Sequence, residues 1–130
     1  MALLALLLLA IVPVAAWHLA RVHVPSHVYL ITGVAFGLVI SPLSLGLYST
    51  YFISPFGFPT GMLGLVSVMF HGAPGFHASV WLGLVPRGEV VSGIGHIYVE
   101  LFNGILWGVV YGSLGFLVDR FRGAYPRRVA

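Results

Sequence analysis

The chain has 130 residues, 59% of them hydrophobic and 7% charged, with a mean hydropathy of +1.03, outside the range of soluble globular domains. It contains no cysteine and no lysine, which excludes thiolate nucleophiles, thiolate metal sites, iron–sulfur clusters and c-type haem attachment, as well as retinal or pyridoxal Schiff bases. The net charge of +3 comes from six arginines set against Glu89, Glu100 and Asp119; only Glu100 lies well inside an apolar stretch, so no paired-carboxylate chemistry within one chain is expected and no catalytic residue is assigned.

These properties predict an all-α integral membrane protein: a single polytopic domain with four membrane-embedded helices at about 2–20, 28–48, 61–85 and 90–119, followed by a basic tail at 120–130. The first segment, MALLALLLLAIVPVAAW, ends in small residues like a secretory signal but lacks the basic start of one. It reads as a retained membrane helix kinked at Pro13. The connection that follows holds His18, Arg21, His23 and His27. Its three imidazoles straddle Pro25, so no regular helix presents them together, and anchoring at the headgroups is favoured over metal binding.

In the second span Gly33 and Gly37 form a small-xxx-small pair that suits close helix packing. Ser41, Pro42 and Ser44 then interrupt the helix; a kink is the default, and a freed carbonyl lining an ion path is the sharper reading. Residues 49–60 are aromatic and uncharged and read as an interfacial belt.

The third element consists of two short apolar runs split at His71–Gly75, each too short to cross a bilayer alone. It is either one broken helix or a re-entrant hairpin. Four crossings is the preferred count, although re-entry would put Arg21 on the same side as the basic tail and obeys the positive-inside rule slightly better.

The last span carries His96, Glu100, Asn103 and Trp107 at spacings that stack them on one helical face, with Tyr111 continuing the stripe. Gly104, Gly108 and Gly112 run beside it as a second packing surface. An ionised Glu in hydrocarbon costs several kcal/mol, so Glu100 is expected to face protein or water, with His96 as its nearest partner. Asp119 beside Arg120 reads as a solvated boundary pair of little energetic weight. The arginine-rich tail points to a cytoplasmic C-terminus, with a bacterial inner membrane as the expected setting, and to lipid headgroups rather than nucleic acid.

The short turn at 86–89 folds the third element against the last, so His71, His77, His96 and Glu100 are candidates to meet. Three functions follow from this face. The first is a helix-packing subunit of a homo-oligomer or larger membrane complex, in which His, Glu and Asn act as interhelical glue. The second is a small proton-coupled transporter or channel using Glu100 and His96. The third is a membrane redox subunit holding a transition metal or a haem-like tetrapyrrole on His71, His77, His96 and Glu100.

Overall fold

The computed structural model describes residues 2–50, 57–88 and 91–124, whose regular structure is all helix, with no strand among them. The helices are α1 (Ala2–His23), α2 (Val28–Ser49), α3 (Gly57–His71), α4 (Ala73–Trp81) and α5 (Ile94–Ala124), with one 3₁₀ turn at Pro25–His27. Half of the aromatic belt (residues 51–56), Glu89, and the tail beyond Ala124 with Arg127 and Arg128 lie outside the described residues. α5 continues as helix through 120–124, past the end expected at about 119.

Two helical segments are long and apolar enough to cross a membrane, Pro25–Ser49 and Ile94–Gly123. They form the most extensive seam in the molecule. Along it the two helices run antiparallel: Asp119 meets the start of α2, Gly33 lies on Tyr111, Gly37 on Trp107, and Ser41 beside Asn103. At Gly33 and Gly37 a Cβ would overlap the carbonyls of Tyr111 and Trp107, and at Gly115 it would overlap the carbonyl of Tyr29. Only glycine permits such backbone-to-backbone contact. Gly112 is tight against the Val34 side chain, whereas Gly104 and Gly108 have ordinary room, with nearest atoms 3.4 Å and 3.7 Å from where a Cβ would stand.

Pro42 does not end α2, which continues unbroken to Ser49. The ring removes the amide that would bond Leu38 C=O one turn earlier, and that carbonyl lies opposite Gly104 of α5.

The third element doubles back. α3 climbs α2 toward its N-terminal end: Thr60 bonds Thr50, Gly64 packs on Tyr48, and Ser67 bonds Ser44. From His71 onward the contacts descend α5 toward its own N-terminus, as His71 meets Tyr111, Gly72 meets Asn103, Gly75 lies on Val99, and Val85 approaches Gly95. Because α2 and α5 are antiparallel, the two arms point back to the same end of the molecule. The broken element is therefore a hairpin and not one helix running through, the second of the two arrangements the sequence allows. α1, α2 and α5 are the long helices, with 22, 22 and 31 residues, and the arms of the hairpin, α3 and α4, are shorter at 15 and 9.

A candidate functional site at the hairpin tip

The tip of the hairpin forms where the helical hydrogen-bond ladder fails. Pro74 has no amide to give to Phe70. The next amide, Gly75 N–H, turns away from His71 C=O and donates instead to Asn103 Oδ1 at 2.6 Å. His71 C=O, left without its ladder partner, accepts from Trp107 Nε1 at 3.0 Å. Asn103 is fully buried and its amide nitrogen also donates to Gly72 C=O (3.1 Å) and Ser41 Oγ (3.2 Å). One amide thus joins α2, α5 and both sides of the break, and buried backbone groups that would each cost about 1–3 kcal/mol unpaired are satisfied. Gly75 must be glycine because a Cβ would strike Val99 C=O and the Asn103 side chain.

His71 sits beside this junction, half-buried, with its ring 4.7 Å from the Trp107 ring. Its Nδ1 lies 3.0 Å from the carbonyl oxygen of Ser67 and 3.2 Å from the Ser67 hydroxyl, and its Nε2 lies 2.8 Å from Tyr111 Oη. A carbonyl only accepts, so Nδ1 carries the proton and Nε2 accepts from the Tyr111 hydroxyl. The Ser67 hydroxyl bonds Ser44 Oγ, which itself donates to Ile40 C=O. The result is a directed chain from Tyr111 through His71, Ser67 and Ser44 to the backbone of α2. Tyr111 is steadied on its other side by the Phe36 ring, edge-on at 5.0 Å.

The remaining residues of the predicted site lie elsewhere. His96 and His77 are exposed, with no hydrogen bond to Glu100, and His77 meets only the edge of Phe76. Glu100 is half-buried on the stripe, and its Oε2 is enclosed with no hydrogen-bond partner. The hydroxyl of Ser79, on α4, is likewise buried and unpartnered. His71, His77, His96 and Glu100 do not converge: among the described residues no three His, Asp or Glu side chains come together as a metal would require. His71 has both ring nitrogens engaged within the protein.

Sequence reasoning passed over Ser41, Ser44 and Ser67 as ligands of this network. The serines flanking Pro42 carried the available signal, since hydroxyls recur where a membrane helix loses a ladder bond. Asp119 is a second miss, and the boundary-pair reading of it is corrected. Its carboxylate accepts from the amides of Tyr29 (3.2 Å) and Leu30 (2.8 Å), capping the positive end of α2 from the far end of the chain.

No family model matches the sequence, and no curated protein or solved structure is similar to it.

Proposed function

We propose that this is an integral membrane protein with three crossings and a re-entrant α3–α4 hairpin, working as a packing subunit of a homo-oligomer or a larger membrane complex. The observation that carries the reading is the uncovered far side of the hairpin. α5 covers one side of the break, while Met69 and Phe70 are 68% and 71% exposed and His77 is open on the other. Broken backbone and an imidazole at membrane depth need protein or water around them, and a partner chain supplies the former. The charges support the same topology: Arg21, Arg120 and Arg122 gather at the end where Asp119 caps α2, and Arg87 stands at the other, an imbalance that by the positive-inside rule favours a cytoplasmic C-terminus.

Two experiments test this. The cysteine-free chain accepts single reporters, and cysteines replacing Phe58 and Arg87 are expected to react with an impermeant maleimide from one side while a cysteine replacing Arg120 reacts from the other. Labelling of Phe58→Cys and Arg87→Cys from opposite sides removes the re-entrant hairpin. Mass analysis after gentle extraction is expected to find an oligomer or a stable partner set, and a lone protomer removes the subunit role.

A second reading, proton-coupled transport, is favoured by one specific feature, the enclosed and unpartnered Oε2 of Glu100. Ionisable side chains at membrane depth mark ion and proton paths. Glu100→Gln that assembles normally but abolishes pH-driven flux in liposomes selects this reading, and wild-type protein without such flux removes it.

A further inference from the structure

At the end of the molecule opposite the hairpin's two arms, α1, α2 and α5 enclose a groove of about 740 Å³. Its wall includes Trp17, Arg21, Ser26, Tyr29, Asp119 and Arg122. The two arginines come from helices about a hundred positions apart in sequence, and each is held by an aromatic ring: Arg21 lies 5.2 Å from the centroid of Trp17 and Arg122 4.6 Å from that of Tyr29. Stacking of this kind fixes a guanidinium by its face and leaves the N–H edge free to bond an oxyanion. Among the described residues neither arginine forms an ion pair with a carboxylate. Asp119, the one acid in the groove, has its carboxylate directed to the amides of Tyr29 and Leu30. Two cations against one engaged anion leave the groove net positive.

We infer that this groove binds the phosphate of an anionic phospholipid headgroup, with Arg21 and Arg122 as the two prongs. The inference rests on the membrane placement proposed above and is independent of the subunit role. Free phosphate shares the headgroup's chemistry, but two features favour lipid. Trp17 and Tyr29 are the aromatics that prefer headgroup depth. In addition, Leu30, whose amide Asp119 holds, lines an apolar groove of about 510 Å³ with Val34, Gly112 and Phe116, a place for an acyl chain beside the headgroup.

The test uses the full chain in detergent, titrated with phosphatidylglycerol, with phosphatidylcholine and, separately, with inorganic phosphate, and read by native mass spectrometry. Phosphatidylglycerol is expected to bind at least tenfold tighter than phosphatidylcholine. Arg21→Gln and Arg122→Gln together are expected to abolish that preference, while Arg120→Gln, outside the groove on the same helix end, and Arg87→Gln, at the other end, retain it. Equal loss in Arg120→Gln shows a diffuse surface charge and overturns the site. Binding of inorganic phosphate as tight as that of the lipid overturns the lipid assignment. A protein that labels as membrane-embedded yet shows no lipid preference sinks this inference and leaves the topology standing. Arg→Lys at both positions keeps the charge and loses the two-pronged geometry; partial retention there, with folding intact by circular dichroism, supports the assignment, and full retention shows that charge alone suffices and overturns the prongs.

Discussion

α5 is gripped on two sides by two different means. Toward α2 it presents backbone, and the seam closes because Gly33, Gly37 and Gly115 have no side chain to keep the helices apart. Toward the hairpin it presents side chains, and Asn103 and Trp107 supply the hydrogen bonds that Pro74 removed from the ladder. The first grip is steric and continuous along the helix, whereas the second is polar and concentrated over a little more than one turn. Packing of the first kind fails when anything is added, and bonding of the second kind fails when anything is taken away.

Addition to the glycine seam gives the largest expected effect. Gly37→Leu forces a side chain into the Trp107 carbonyl and the Gly108 amide, and rigid backbone on both sides gives no room to relax. A loss of about 3 kcal/mol or more is expected, at or beyond the top of the usual overpacking range and a large share of a typical protein's total stability. It is measured as the fall in thermal midpoint, or the absence of monodisperse protein, in detergent. Gly104→Ala is the control, since its Cβ meets Leu38 C=O at 3.4 Å, and a change within about 1 kcal/mol is expected. Equal damage from both substitutions breaks the distinction between tight and roomy glycines.

Removal at the hairpin comes next. Asn103→Leu keeps the side-chain bulk but orphans Gly75 N–H and the Ser41 hydroxyl, and about 2–3 kcal/mol is expected from their desolvation. Hydrogen exchange locates the loss: the Gly75 amide is expected to exchange much faster while amides of α2 near Gly37 keep their protection. If both speed up together, the two grips are one cooperative unit. Trp107→Phe removes a single bond, that from Nε1 to His71 C=O, and keeps the ring stacked near His71, so about 1 kcal/mol is expected with exchange enhanced only around His71 and Gly72.

The sequence carried these two regions unequally. Gly33 and Gly37 were legible because small-xxx-small spacing is local and names a surface directly. The stripe of Asn103, Trp107 and Tyr111 was legible for the same reason, since helical periodicity places it on one face. What the stripe bonds to was not legible, because its partners are backbone atoms of His71, Gly72 and Gly75, and a backbone group has no letter of its own. The pairing of His96 with Glu100 failed through reliance on spacing alone. One turn of separation allows contact but does not require it, and His96 lies exposed near the start of α5. The direction of the hairpin stayed open because hydropathy measures length and not return, and it took the register of Ser67 on Ser44 against Gly75 on Val99 to fix it. Asp119 was missed because its partners lie 89 and 90 residues away.

The smallest expected effect tests whether the chain from Tyr111 to Ser44 has a direction. Tyr111→Phe deletes the hydroxyl that donates to His71 Nε2 and leaves the ring against Phe36, so about 0.5–1 kcal/mol is expected at most. The tautomer of His71 is the sharper readout. Nδ1 faces the carbonyl of Ser67, which has no proton to offer, so nitrogen-15 spectra of neutral His71 are expected to show the Nδ1–H form both in the native chain and in Tyr111→Phe. An Nε2–H form in the native chain would mean that Tyr111 accepts instead of donates and that the chain runs the other way. A switch to Nε2–H only in Tyr111→Phe would mean that the tyrosine and not the serine carbonyl sets the proton, which would detach His71 from α3 and make it a part of the α5 face.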